Sequence, residues 1–226
     1  MMRANLITSL LGATTLGIAA TSAADPCPTN TVCLNEEPCV SLTTVSGGRE
    51  SNYIGGVTSS ASYNWATGVC GAYGQLPYNA PPSAGGTVVA NEDFLVTGIP
   101  VGTPLTIHAR FRVQGRLDSG GPCSNHVTGW LEEAGAGHVE ATASQESPGV
   151  VIFDQVVALD FPNLAGETFR LTIGARIDAR GGSAGGGGTL TFVDLPQGAI
   201  VSTCHSGGAP VPTIPVTWGR LKSRYR

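Results

Sequence analysis

The sequence predicts an all-β protein, an antiparallel two-sheet β-sandwich of jelly-roll-like type with disordered termini, and three observations carry that prediction. Two stretches alternate strictly. Leu105, Ile107, Ala109, Phe111 and Val113 enclose Thr106, His108, Arg110 and Arg112, and Phe169, Leu171, Ile173, Ala175 and Ile177 enclose Arg170, Thr172, Gly174 and Arg176. A period of two sends one set to a core and the other to water, as in antiparallel sheets with one wet face. From Val40 onward, short β-prone runs also alternate with clusters of Gly, Pro, Asn and Ser. No window keeps a helical period over the length a stable helix needs.

The elements follow in chain order. Residues 1–24 read as a secretory signal peptide: Arg3 supplies a positive start, Leu6 to Ala20 an apolar and small-residue stretch, and Ser22-Ala23-Ala24 a small-residue cleavage pattern. That stretch is too short to span a bilayer, and no later one comes closer. Residues 25–39, rich in Pro, Thr, Asn and Cys, lack periodicity and read as a loop-like segment fastened by disulfide. The sandwich domain is assigned to 40–207. Besides the two alternating stretches, strands are expected at about 41–46, 68–74, 88–97, 126–133, 137–144, 149–158, 188–194 and 199–205, a number that suits two packed sheets. The glycine run at 181–188 reads as a mobile loop. Three prolines at 210, 212 and 215 mark 208–216 as an extended stalk. Residues 217–226 form a basic, aromatic tail ending Arg220, Lys222, Arg224, Arg226.

The segment 126–144 supports a register argument. With Ala134-Gly135-Ala136 as the loop, Glu133 faces Gly137, Glu132 faces His138, Trp130 faces Glu140 and Thr128 faces Thr142. Val127, Leu131, Val139, Ala141 and Ala143 then share the buried face, and His126, Trp130, Glu132, His138 and Glu140 the wet one. Trp130, Glu132, His138 and Glu140 are the candidate ligand-binding residues, with the indole as a platform for a sugar ring. A metal held by the imidazoles and carboxylates is the competing reading, but their spacing matches no ligand motif, and cross-strand charge pairs account for them.

Charge and cysteine narrow the function. The formal net charge is −4, and residues 25–219 carry seven Arg against sixteen Asp and Glu, which argues against a nucleic-acid partner. Six cysteines, Cys27, Cys33, Cys39, Cys70, Cys123 and Cys204, all lie beyond the signal peptide, so three disulfides of undetermined pairing are expected in an oxidising compartment. The spacing of Cys27, Cys33 and Cys39 lacks the short pairs of structural zinc sites, and no metal or other cofactor is expected.

No catalytic residue is assigned. Gly181-Gly182-Ser183-Ala184-Gly185 matches the G-x-S-x-G elbow only in letters, since more glycine and then a strand follow where the elbow needs a helix. Local spacing assembles no Ser/His/Asp set. His108, Arg110 and Arg112, with Asp154 and Asp160, are accounted for as surface charge pairs.

Three segments carry a resemblance: Ser62-Tyr63-Asn64-Trp65-Ala66-Thr67-Gly68, the run from Asp93 to Pro104, and Gly188-Thr189-Leu190-Thr191-Phe192 through Leu195 to Ser202. They resemble the exported bacterial β-sandwich regions of PEP-CTERM and choice-of-anchor type proteins over roughly residues 40–206. The resemblance implies an exported sandwich and carries over no site residue. The C-terminus departs from that family's sorting signal: Thr217 to Arg226 resembles instead a short Trp-Gly-containing ending, which implies a sorting or attachment tag read by sorting machinery. The expectation is therefore a non-catalytic, secreted or surface-displayed bacterial protein with a structural, matrix or adhesive role, its partner a glycan or other cell-surface component. A carbohydrate-binding module is the alternative, followed by an extracellular hydrolase with a site assembled from distant loops.

Overall fold

A computed structural model describes residues 27–205 except 36, 54–55, 78–82 and 123. The signal peptide, the stalk, the tail and Cys123 lie outside the described residues. Thirteen strands are present among the described residues: β1 (Asn30–Leu34), β2 (Glu37–Leu42), β3 (Ser46–Tyr53), β4 (Val57–Asn64), β5 (Val69–Leu76), β6 (Ala84–Thr97), β7 (Pro104–Ser119), β8 (Asn125–Glu133), β9 (Gly137–Gln145), β10 (Gly149–Leu164), β11 (Thr168–Ala179), β12 (Gly182–Val193) and β13 (Ile200–Thr203). They form two sheets, one ordered β2-β1-β6-β11-β8-β9 with β13 also paired to β6, the other β10-β7-β12-β5-β4-β3. Every pairing is antiparallel. The two-sheet all-β sandwich expected from the alternating stretches is the fold.

The two strongest alternations place the core. Leu105, Ile107, Ala109, Phe111 and Val113 on β7 and Phe169, Leu171, Ile173, Ala175 and Ile177 on β11 are all buried. β7 and β11 belong to opposite sheets, and every connection after β5 except the β8–β9 hairpin crosses from one sheet to the other. An aromatic cluster fills one part of the interior: Phe94 stacks on Phe169 at 5.4 Å and meets Phe192 and Trp65 edge-on at 5.2 and 5.8 Å. Trp65 is anchored by its indole N–H, which donates to Asn30 Oδ1 at 3.1 Å.

Four expectations need correction. The segment expected as a loop at 25–39 supplies β1 and the first half of β2, and β1 pairs with β6 at Val88 and Val89. Val32 and Leu34 face the core, so alternation operates over a run too short to stand out. The strand expected at 41–46 is the end of β2, a turn and the first residue of β3. The glycine run expected as a loop at 181–188 is strand from Gly182 on: residues 182–188 are the first part of β12, hydrogen-bonded to β7 on one side and β5 on the other. Its residues must be small. A Cβ on Gly188 would lie 2.1 Å from the Phe111 ring, and one on Gly187 would lie 2.2 Å from the Cys70 carbonyl oxygen.

The fourth correction concerns the cysteines. Cys27 pairs with Cys204 and Cys33 with Cys39, whereas Cys70 is free and buried. Cys70 points inward from β5 and packs as a small apolar residue, with burial pushing its thiol up to about 12. β1 and β13 lie along the same edge of β6, which brings Cys27, just before β1, to Cys204, just after β13.

Candidate functional site

The β8–β9 hairpin forms in the expected register: Glu133 opposite Gly137, Glu132 opposite His138, Trp130 opposite Glu140 and Thr128 opposite Thr142. The structure thus brings Trp130, Glu132, His138 and Glu140 together on the outer face. His138 Nδ1 lies 3.4 Å from Glu132 Oε2, and its Nε2 lies 3.5 Å from Glu140 Oε2. All three side chains are exposed, where such pairs contribute little. Trp130 is half-buried beside β11, and its indole covers Gly174, where a Cβ would sit 2.0 Å from Cζ2. A glycine capped by a cross-strand aromatic is a packing arrangement that requires no ligand.

On the outer face of the other sheet, β7 and β10 carry the charge pairs expected there. Arg110 and His108 both reach Asp160, His108 at 3.0 Å, and Arg112 grips Asp154 through two nitrogens, Nε at 2.8 Å. The hydrogen bond from Arg112 holds the Asp154 carboxyl below the usual range.

Beside these pairs lies a cleft of about 390 Å³ that the sequence did not disclose. Strand alternation builds it. On β5, Cys70 and Ala72 point inward while Val69, Gly71 and Tyr73 point outward; on β4, Ala61 and Tyr63 point inward while Ser60 and Ser62 point outward. β12 contributes Gly187 and Thr189, and β7 contributes Arg112 and Gln114. Gln114, Gly187, Gly71, Ser62 and Gly48 of β3 stand opposite one another in a single row across five strands. Bare backbone at Gly187 and Gly71 therefore forms the floor, with Gln114 and Ser62 on either side of it in the same row and larger side chains in the flanking rows.

The Tyr73 ring forms one wall, lying against Gly185 with its hydroxyl 2.7 Å from Gln75 Oε1. Arg112 and Val69 stand on the other side of the floor row. The hydroxyls of Ser60, Ser62 and Thr189 line the cleft and form no hydrogen bond with another described group. Gln114 donates to Asp154 Oδ2 at 3.2 Å. No Asp, Glu or His lines the cleft among the described residues. Chemically, it offers hydroxyls, an amide, a clamped guanidinium and one aromatic ring.

Other polar constellations resolve into structure. Ser124 Oγ lies 2.5 Å from His126 Nε2, but Asp178, opposite His126 on β11, pairs instead with Arg180 at 3.2 Å. His205, which follows β13, is buried against Glu92 with Nδ1 2.8 Å from the carboxylate. Among the described residues, no group of three or more His, Cys, Asp or Glu could hold a metal ion, and no helix is long and apolar enough to cross a membrane.

Fold and site together define the class: an antiparallel β-sandwich with an open groove of mixed polar and apolar lining on one outer face. No family model matches the chain, and no curated protein matches it. A solved structure of TmCBM61 in complex with β-1,4-galactotriose aligns with 65% of this chain and 89% of that one, at 15% identity and a TM-score of 0.28. A match at that level bears on neither the fold nor the ligand of this chain.

Proposed function

We propose that this chain is an exported, non-catalytic β-sandwich of the bacterial surface or its surroundings, and that it binds saccharide in the cleft floored by Gly187 and Gly71. The cleft carries the reading. Sugar recognition combines an aromatic face for the apolar side of a pyranose with hydroxyl and amide groups for its hydroxyls, and Tyr73, Ser60, Ser62, Thr189 and Gln114 supply both. Two disulfides and the amino-terminal sequence support export. An adhesive or matrix role, the likeness to PEP-CTERM type sandwiches and attachment through the basic tail belong to the same proposal.

Trp130 provides a second reading, carried by the position of its indole on the open face of the hairpin. Titration calorimetry with a panel of linear oligosaccharides separates the two. Loss of binding in Tyr73→Ala with retention in Trp130→Ala supports the cleft, and the reverse moves the site to the hairpin. No binding by the wild-type protein removes both.

A further inference from the structure

We infer that a second copy of this chain pairs along the free edge of β10, antiparallel about a two-fold axis at Phe153, so that two 6-stranded sheets join into one. Among the described residues the terminal strands of the two sheets are β2, β9, β3 and β10, and they differ in how they are covered. Arg49 of β3 donates to the Pro38 carbonyl and the Glu37 carboxylate of β2, which ties those two edges together. β9 carries exposed His138 and Glu140. β10 has no such guard. It pairs with β7 throughout, and among the described residues nothing but β7 is hydrogen-bonded to its backbone from Val150 to Asp160. Val150, Ile152 and Val156 stand on its outer face, 51, 75 and 59% exposed. A long edge with apolar side chains and no lysine is a template for another strand.

Charge says which partner fits. The charged residues of β10 are Asp154 and Asp160, and both are answered within the chain, Asp154 by Arg112 and Asp160 by Arg110 and His108. The strand therefore meets its own copy without a net repulsion. Registers that set Asp154 against Asp154, Asp154 against Asp160, or Asp160 against Asp160 are disfavoured, because like charges directly opposite destabilise a strand pair. The register with Phe153 on the axis avoids all of them. It places Val150 against the second copy's Val156, and Ile152 next to that pair, so the aliphatic side chains of both copies close into one patch. The neighbouring strand adds to the fit. Arg116 of β7 stands beside Ile152, and Asp118 beside Val150. Across the axis, Asp154 of one copy then shares a row with the second copy's Arg116, and Arg112 shares one with the second copy's Asp118. Gln145 Nε2 donates to the Gly149 carbonyl at 2.6 Å, so the new ladder starts at Val150. A closed two-fold dimer is the commonest symmetric assembly, and an antiparallel strand paired with itself satisfies its self-complementarity.

This pairing leaves both clefts on one side of the joined sheet, roughly 24 Å apart at β12, five inter-strand spacings. It does not depend on what the clefts bind. Sedimentation equilibrium of the oxidised chain over a concentration series, with a thermal melt at each concentration, tests it. The expected result is a monomer–dimer equilibrium with a melting temperature that rises with concentration. Ile152→Lys and Val156→Lys should each weaken association by roughly tenfold or more, as lysine does on guarded edges. Val101→Lys, in the turn between β6 and β7 where the side chain is 86% exposed, should associate like the wild type. Val150→Cys combined with Val156→Cys should trap the dimer as a disulfide-linked pair on non-reducing gels. A wild type that stays monomeric overturns the proposal, and dimerisation on removal of residues 206–226 would then name the chain's own tail as the cover. A dimer untouched by both β10 lysines also overturns it. A lysine-sensitive dimer that the cysteines fail to trap overturns the register alone.

Discussion

The Glu92 carboxylate is fully buried among apolar neighbours on the inner face of β6, hydrogen-bonded to His205 Nδ1 at 2.8 Å and to the backbone N–H groups of Asp93 and His205. Burial raises its pKa and outweighs the opposing pull of His205. A carboxyl raised in the folded state contributes most favourably below its unfolded value of 4.5 and loses that contribution as pH rises through the folded value. Urea unfolding should therefore show the wild type gaining stability relative to Glu92→Gln as pH falls from about 7 to about 4; a constant difference would refute the assignment. Cys70, with its thiol pushed up to about 12, should resist iodoacetamide in the native protein and react on unfolding, as read by peptide mapping. None of this is visible in the sequence, because burial of Glu92 and His205 depends on partners 113 residues apart.

β12 shows how an element can hide. Seven of its first positions up to Gly188 are Gly, Ser or Ala, a composition that reads as a loop, yet it is paired on both sides. What makes it a strand lies in its neighbours: Phe111 occupies the space over Gly188, and the backbone of β5 occupies the space beside Gly187. Gly188→Ala should cost about 1–3 kcal/mol in urea unfolding, as overpacking does. Gly135→Ala in the β8–β9 loop, where only the Glu133 carboxylate comes within 3.3 Å, should stay within about 0.5 kcal/mol. Equal effects would sink the packing account. The hairpin, by contrast, was legible to the residue, because a short loop and one apolar face leave a single register. The cleft was not: its floor depends on which strands become neighbours, and β12 lies between β5 and β7 although more than a hundred residues separate it from β5.

At the scale of the molecule, the sandwich could be read from two strictly alternating stretches, which proved to be one strand of each sheet with its apolar face in the core. Order within each sheet could not, since nearly every later connection changes sheets. The bridges differ sharply in reach, with 177 residues separating Cys27 from Cys204 and 6 separating Cys33 from Cys39. Loop-closure entropy then assigns about 5 kcal/mol to the first and about 2 kcal/mol to the second. Cys27→Ser with Cys204→Ser should lower the urea midpoint more than Cys33→Ser with Cys39→Ser, and the opposite order would contradict the entropic account. The long bridge also has a mechanical consequence. Tension applied to the chain outside Cys27 and Cys204 passes directly through one sulfur–sulfur bond, so both sheets and the cleft between their strands carry no load while that bond is intact.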